Sequence, residues 1–243
     1  MKNYIERTYR NNVSSDRLVH FPVKFKETDL FIGADLDLSD IALQAVFRYR
    51  GFVEQYIEHN PQFSSSLTPL PFDKLAPAVI RDMLRAARIT GVGPMASVAG
   101  AIAESVGKEL LQNSSNIIVE NGGDIFLSLR KDNSPTKIGI FAGESVLSYK
   151  VSLKIKPDDT PTGVCTSSGT IGHSLSLGKA DAVCVVSDST AVADAAATSI
   201  CNRVKTKSDI NEALEYAQTI EFVNGVVIIV KDKIGAWGAV ELC

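Results

Sequence analysis

The sequence predicts an α+β fold in which most strands pair with their neighbours along the chain. Near the N-terminus, Phe21, Val23 and Phe25 alternate with polar residues or proline, which is typical of a strand with one face in water. In the middle of the chain, two apolar runs flank Asn121–Asp124, and Asn-Gly is a strong signal for a tight hairpin. Other stretches repeat their apolar residues at helical spacing.

The elements are expected in a definite order. Residues 4–34 are expected to form strands, and residues 61–77, which hold four prolines, a connection. The predicted helices are 38–59, 79–91, 95–111, the alanine-rich stretch after 186, and 208–217. The further predicted strands are 116–120, 125–129, 138–142, 148–155, 181–186, 226–230 and 234–242. No clean boundary interrupts this order, so a single domain over residues 1–243 is expected.

Composition and charge exclude several classes of protein. Apolar residues make up 45% of the 243 residues and charged residues 22%, close to the average of soluble globular proteins. The formal net charge of -3 gives no indication of binding to nucleic acid or to an anionic membrane. The N-terminus lacks the apolar segment of a secretory signal, and no apolar run is long enough to cross a bilayer. We therefore expect a soluble, cytoplasmic protein.

The four cysteines show neither a CxxC pair nor the Cys/His spacing of a metal site. Cys184 falls in a strand pattern, where a small buried residue is expected. Cys165 borders a loop rich in hydroxyl groups, and a packing role is favoured there too. This usage of cysteine is typical of a reducing compartment.

The stretch from Gly163 to Arg203 carries the densest set of residues suited to chemistry. It begins with an expected loop of small hydroxyl residues, Thr166–Thr170, and continues to His173. Its alanine-rich helix places Asp194 and Thr198 four residues apart, so that the two side chains share a face.

A carboxylate and a hydroxyl on one helix face are hard oxygen ligands of the kind that Mg²⁺ or Ca²⁺ prefers. A simpler interpretation is that Asp194 caps the helix and that Thr198 donates back to the carbonyl of residue 194. The residues alone leave both interpretations open.

Two glycine-rich segments are further candidates for ligand contact. Gly91–Pro94 leads directly into a predicted helix, and the free N–H groups of a helix start favour anions. The tetrapeptide Asn121–Asp124 either forms only a tight hairpin or lets a planar ligand or phosphate approach the backbone.

Three separated stretches carry a resemblance to known proteins. They read VGPMASVAGAIAESVG at 92–107, VENGGDI at 119–125, and GVCTSSGTIGHSLSLGKADAV at 163–183 followed by ADAAAT at 193–198. These stretches resemble an uncharacterised protein family allied to the ApbE flavin transferases, the FAD:protein FMN transferases. The resemblance covers nearly the whole chain and implies an α+β fold with helices packed outside central antiparallel sheets.

The resemblance also implies a chemistry. Flavin transferases use Mg²⁺ to split FAD, releasing AMP and attaching FMN through its phosphate to a serine or threonine of an acceptor protein. It implies that Asp194 and Thr198 are metal ligands, with Asp194 also catalytic, and that His173 is a general base. It further implies that Asn121, Gly122, Gly123 and Asp124 border the flavin. The hydroxyl loop is extra to the transferase pattern and suggests a different anionic or polar ligand, so Thr166, Ser167, Ser168 and Gly169 are also expected to bind substrate.

The sequence departs from the transferase pattern at two places. Glu104 stands where the transferases have a lysine. After His173, residues 174–181 replace the Asp-Pro-x-Thr-Gly loop of the transferases, and they add Lys179 and Asp181 as charged candidates.

The first hypothesis is therefore Mg²⁺-dependent transfer of FMN, or a phosphoryl-type transfer, from FAD or a related nucleotide. The alternative is a non-catalytic protein that binds a flavin or nucleotide and serves anaerobic sulfur or homocysteine metabolism. A third hypothesis is a degenerate scaffold that acts through protein contacts. An acceptor protein is an expected partner, nucleic acid and membrane are not, and the sequence does not indicate the oligomeric state.

Overall fold

The computed structural model describes residues 18–170 and 177–243. Within these ranges the chain forms ten strands and six α-helices, together with three 3₁₀ turns. The strands are β1 Val19–Phe25, β2 Thr28–Ala34, β3 Ile117–Asn121, β4 Asp124–Ser128, β5 Thr136–Gly139, β6 Ser152–Ile155, β7 Thr162–Ser167, β8 Ala182–Ser187, β9 Val223–Val230 and β10 Lys233–Gly238. The helices are α1 Ser39–His59, α2 Gln62–Ser65, α3 Ala78–Thr90, α4 Val98–Leu110, α5 Thr190–Cys201 and α6 Ile210–Ala217.

Eight strands form one antiparallel sheet in the order β1-β2-β3-β4-β7-β8-β9-β10. Neighbours in this sheet are also neighbours along the chain, apart from β5 and β6, which pair with each other in a separate hairpin. Short connections between adjacent antiparallel strands explain this order. The predicted α+β class, with antiparallel sheets flanked by helices, is confirmed.

The helices cover one face of the large sheet. α1 and α4 pack over β1–β4 around Leu30, Val119 and Phe126. α5 and α6 pack over β7–β9 around Val185 and Ile228. The opposite face is covered by the β5–β6 hairpin, whose apolar side chains contact those of β4, β8 and β9. The core therefore has two layers, one on each face of the sheet.

α5 lies at the centre of the helical layer because its side chains are small. Every residue of this helix except Asp194 is buried. A Cβ added at Gly163 of β7 would lie 2.4 Å from the Cα of Thr190, so the helix and the strand approach more closely than side chains normally allow. α3 packs on the outer side of α5, which encloses the helix between the sheet and a second layer of helix.

The structure corrects the prediction for the hydroxyl loop. Thr166 and Ser167 lie in β7, and the loop begins only at Ser168. β7 pairs with β4 on one side and β8 on the other, as Cys165 opposite Asp124 and Thr166 opposite Cys184 show. Thr166 and Ser167 pair with β8 alone, and this pairing outweighs the local preference of hydroxyl residues for turns.

The end of the chain also differs from the prediction. The predicted strand 234–242 ends at Gly238, whose φ of 85° turns the chain back. Beyond it, Lys154 N–H donates to the Glu241 carbonyl at 2.9 Å and Ser152 N–H donates to the Cys243 carbonyl at 3.1 Å. The last residues therefore pair with β6 on the opposite side of the sheet.

Two further findings concern the predicted elements. Among the described residues, no single helix has the length and apolar character to cross a membrane. The segments Ala78–Thr90 and Pro94–Leu110 have the required length and apolar character only when taken together, and a bend of 106° separates them. The part of the predicted strand region that precedes Leu18 lies outside the described residues.

Candidate functional site

The candidate site is built on two facing helices, each of which binds the other through a carboxylate. Gly100 N–H of α4 donates to Asp194 Oδ2 of α5 at 2.9 Å. In return, Glu104 Oε2 of α4 accepts from Thr190 N–H at 2.8 Å and from Ala191 N–H at 3.2 Å. The N–H groups of a first helical turn lack partners within their own helix, so Glu104 completes the start of α5.

Gly100 permits this close packing because it has no side chain. A Cβ at this position would lie 2.5 Å from the carbonyl oxygen of Thr190 and 2.8 Å from Asp194 Cβ. Both distances are shorter than van der Waals contact, so another residue at position 100 would push the helices apart.

The Asn121–Asp124 hairpin lies beside the same helices. Gly122 and Gly123 have φ values of 71° and 107°, which favour glycine, and they form the two-residue turn that the Asn-Gly signal predicts. Asn121 Nδ2 donates to the Ala99 carbonyl at 3.0 Å, which fixes the hairpin against the start of α4. A Cβ at Gly122 would meet nothing within 4 Å, so the tip of the turn faces open space.

Two carboxyl groups meet beneath this hairpin. Asp194 remains partly exposed, whereas Asp124 is buried opposite Cys165 in the sheet. Burial raises the pKa of Asp194 to about 7, against the lowering effect of hydrogen bonds from Gly100 and Ala99. Burial and the nearby charge of Asp194 raise the pKa of Asp124 well above its ordinary value. An acidic pair held in this way gains from a bound cation.

Cys165 lies in contact with this acidic pair but is not suited to nucleophilic chemistry. Burial raises the pKa of the Cys165 thiol well above its ordinary value, and the charges of Asp124 and Asp194 raise it further. Cys165 Sγ also lies 3.4 Å from the Thr190 carbonyl. A buried neutral thiol is a packing residue, as the sequence predicts.

Three buried hydroxyl groups on α5 and β7 have no hydrogen-bond partner within the described residues. They are Thr190 Oγ1 and Thr198 Oγ1, one turn before and one turn after Asp194 on α5, and Ser167 Oγ, at the end of β7. All three residues are at most 5% exposed, and the Thr190 hydroxyl lies against Gly163 of β7. Leaving a buried hydroxyl unpaired costs about 1–3 kcal/mol, so Thr198 and Ser167 are candidates for contact with a ligand.

The simpler interpretation of Asp194 and Thr198 is wrong. α5 begins at Thr190, and its N-cap is Ser189, whose side chain accepts from Val192 N–H. Asp194 therefore lies in the second turn and does not cap the helix. Thr198 Oγ1 makes no hydrogen bond to the carbonyl of residue 194.

The loop that follows β7 is fixed at its two ends. Gly169 N–H donates to the Ala180 carbonyl at 2.9 Å, and Thr170 N–H donates to Ser168 Oγ at 3.1 Å. Asp181 Oδ2 accepts from Lys231 N–H at 2.5 Å, so this carboxylate anchors the loop to the β9–β10 turn. His173 lies outside the described residues.

The oxygen atoms of the site fit a hard cation. The described residues contain no group of three His, Cys, Asp or Glu side chains arranged around one point. The oxygen donors of the site are the carboxylates of Asp124 and Asp194 and, one turn from Asp194, the hydroxyl of Thr198, which suit Mg²⁺ better than a softer metal. A surface cavity of about 380 Å³ between α1 and α4, lined by Arg48, Tyr49, Lys108, Glu109 and Gln112, contains none of the predicted site residues.

Sequence reasoning missed the role of Glu104. The resemblance showed only that Glu104 stands in the place of a lysine. The structure buries its carboxylate against the start of α5, where Ser189 Oγ also donates to it at 3.2 Å. Only the packing of α4 against α5 reveals this contact, because the two segments are far apart in the chain.

The fold is that of the ApbE flavin transferases. The chain superimposes on a variant of flavin transferase ApbE from Vibrio cholerae with a TM-score of 0.58, covering 91% of this chain and 97% of the other at 14% identity. The ApbE protein of Thermotoga maritima gives a TM-score of 0.56 at 11% identity, with 90% of this chain and 96% of the other covered. At these identities the likeness shows the fold.

The family follows from the sequence comparisons. A UPF0280 protein of Methanocaldococcus jannaschii is 44% identical over 221 residues, which are 88% of this chain and 88% of that protein. The family model described as AbpE bacteria matches residues 10–236. The chain therefore belongs to this family, which confirms the resemblance to an uncharacterised family allied to the ApbE transferases.

Proposed function

We propose that this protein binds a flavin nucleotide together with Mg²⁺ and transfers FMN from FAD, or from a related nucleotide, to a hydroxyl of an acceptor protein. The observation that carries the proposal is the unpaired, buried hydroxyl of Thr198 one turn from Asp194. Membership of a family with the ApbE fold supports it, since proteins of that fold include flavin transferases.

The proposed metal ligands are Asp194 and Thr198. Gly100 N–H donates to Asp194 Oδ2 at 2.9 Å, and the Ala99 amide also interacts with this carboxylate, so the start of α4 orients it. Thr198 Oγ1 has no competing hydrogen bond among the described residues. Bound Mg²⁺ would neutralise charge on the diphosphate of the nucleotide.

The proposed nucleotide pocket is lined by residues of two elements. The hairpin contributes Asn121, Gly122, Gly123 and Asp124, and the end of β7 with the following loop contributes Thr166, Ser167, Ser168 and Gly169. The open space at Gly122 lets a ring system approach the backbone closely. The unpaired hydroxyl of Ser167 is a donor for a phosphate or flavin oxygen.

His173 is the proposed general base. In the transfer, the acceptor hydroxyl oxygen bonds to the phosphorus of the FMN moiety, the bond between the two phosphates breaks, and AMP leaves. The proton of the hydroxyl passes to His173. Asp194 and Asp124 are the acidic groups of the proposed pocket. Burial raises both pKa values, so a proton competes with a cation there, and a bound cation would stabilise the two carboxylates.

One observation favours the second candidate, a protein that binds the nucleotide without splitting it. Glu104, in the place of the transferase lysine, is consumed by hydrogen bonds to α5 and by an ion pair with Lys108 at 2.6 Å. This position therefore supplies no free cation to a phosphate.

The deciding experiment is incubation of the purified protein with FAD and Mg²⁺, followed by chromatography of AMP and of the protein-bound flavin. We expect AMP release by the parent and its loss in Asp194→Ala, because the variant lacks a proposed metal ligand. Asp188→Ala removes an exposed carboxylate just before α5 and is the matched control, which should retain activity. If FAD is bound intact and no AMP is released, the result favours a protein that binds the nucleotide without splitting it. The absence of any bound nucleotide would refute both candidates.

A further inference from the structure

Glu104 is bound to the start of α5 by several hydrogen bonds. Its Oε2 accepts from Thr190 N–H, Ala191 N–H and Ser189 Oγ, at 2.8, 3.2 and 3.2 Å. Its Oε1 pairs with Lys108 at 2.6 Å. The residue is 7% exposed, so both oxygens are committed within the protein. Charge-assisted hydrogen bonds of this kind are among the stronger ones in proteins.

The contacts of Glu104 and Asp194 are spaced by one helical turn on both helices. Glu104 and Gly100 are four residues apart on α4, and Thr190 and Asp194 are four residues apart on α5. Glu104 binds the backbone of residue 190, while Asp194 binds the backbone of residue 100. A shift of α5 along its axis would therefore break both contacts together.

We infer that Glu104 is a positioning residue, which sets the axial position of α5 and thereby places Asp194 and Thr198 in the proposed metal site. The effect on the metal site rests on the proposed function, whereas the effect of Glu104 on the position of α5 does not depend on a bound metal. Removing the carboxylate frees the first turn of α5, so the Asp194 carboxylate loses its fixed distance from Gly100 N–H.

The structural part is tested by hydrogen exchange at the Gly100 amide in metal-free protein. In Glu104→Ala we expect exchange at this amide about tenfold faster or more relative to amides of the sheet, because Asp194 moves away from it. Glu104→Gln keeps an acceptor for Thr190 and Ala191 and should stay near the parent. Lys108→Met removes only the partner of Oε1 and is the matched control, with parent-like exchange expected.

A Gly100 amide as well protected in Glu104→Ala as in the parent would overturn the inference. If Glu104→Ala does not fold, Glu104→Asp replaces it, since the shorter side chain withdraws the carboxylate from α5 without removing its charge. Faster exchange at Gly100 in that variant supports the inference, and unchanged exchange overturns it.

The consequence for the site is tested by titration with Mn²⁺ as the probe ion. Mutation of a residue that holds a metal ligand in place typically lowers metal affinity by about 10–100-fold, so we expect a loss in this range for Glu104→Ala. The affinities of Glu104→Gln and Lys108→Met should stay near that of the parent. Unchanged affinity in folded Glu104→Ala would overturn a positioning role in metal binding. A parent that binds no Mn²⁺ would refute the proposed function, while the exchange at Gly100 would still decide the role of Glu104.

Discussion

Gly100 and Asp194, 94 positions apart in the sequence, are joined by a hydrogen bond of 2.9 Å from the Gly100 amide to the Asp194 carboxylate. The bond forms because a glycine lets the two helices approach until a Cβ would clash with the Thr190 carbonyl. It orients one oxygen of the Asp194 carboxyl group, which also interacts with the backbone of Ala99. The geometry of the candidate site therefore depends on a position that carries no side chain.

Gly100→Ala should destabilise the protein and weaken divalent cation binding. The added Cβ lies 2.5 Å from the Thr190 carbonyl oxygen, and overpacking of this kind costs about 1–3 kcal/mol. Urea unfolding and Mn²⁺ titration measure the two effects. Gly51→Ala is the control, since a Cβ there meets nothing within 4 Å and alanine favours a helix by about 1 kcal/mol. Parent-like stability and affinity of Gly100→Ala would contradict the close-packing argument.

Thr198→Val should leave the metal-free protein as stable as the parent, or up to about 1 kcal/mol more stable, because an unpaired buried hydroxyl is removed. In the parent, a metal concentration 100 times Kd adds about 2.7 kcal/mol to the free energy of unfolding. The variant should lose most of this gain at the same concentration. Denaturant titrations with and without Mg²⁺ measure both quantities.

The neighbouring residue provides the matched control for Thr198. Ser199 is also buried, but its Oγ donates to the Thr90 carbonyl at 2.7 Å. Ser199→Ala should therefore lower the stability of the metal-free protein by about 1 kcal/mol and keep the stabilisation by Mg²⁺. Equal losses of metal stabilisation in the two variants would argue against Thr198 as a ligand.

Ser167→Ala should weaken the binding of FAD or FMN and leave the stability of the free protein within about 1 kcal/mol of the parent, since Ser167 Oγ has no partner among the described residues. Flavin fluorescence titration measures the affinity. Thr162→Val, at the other end of β7, is the comparison, because Thr162 Oγ1 donates to the Ser187 carbonyl at 3.0 Å. That variant should lose stability and retain flavin affinity; the reverse pattern would remove Ser167 from the pocket.

Stability of the metal-free protein should fall as the pH rises from about 4 to about 7. Burial raises the pKa of Asp194 from 3.8 to about 7, so in this window the folded state holds a proton that the unfolded state has released. The slope is at most about 1.4 kcal/mol per pH unit for one group, and Asp124 acts in the same direction. Metal binding needs the carboxylate, so affinity for Mg²⁺ should increase over the same window.

Urea unfolding in EDTA across this pH range tests the effect, and Asp194→Asn should flatten the curve. Asp35→Asn is a control, because Asp35 contributes a pH dependence of stability with the opposite sign. Burial opposes ionisation of Asp35, but hydrogen bonds from Asn116, Ser115 and Ser114 outweigh it and lower the pKa. Asp35 therefore stabilises the parent above about pH 4, and this contribution is lost as the pH falls through the lowered pKa. An unchanged curve for Asp194→Asn would show that Asp194 titrates normally.

Much of the fold was predictable because its signals are local. Alternation marked β1, Asn-Gly marked the β3–β4 turn, and the alanine-rich pattern marked α5. The extent of β7 was not predictable, because Thr166 and Ser167 prefer turns locally and are held in a strand by pairing with Cys184 and Val183 of β8. The return of the last residues to β6 likewise depends on long-range pairing.

The sequence by itself determined the α+β class, the family, and the pairing of Asp194 with Thr198 on one helix face, since each depends on residues close together in the chain or on extended similarity. The tertiary structure decided which polar groups remain without partners and which are already used. It left Thr198 and Ser167 unpaired, and it committed Glu104 to the start of α5. Hydrogen bonds between segments 80 or more residues apart leave no periodic trace in the sequence, so only the folded chain reveals them.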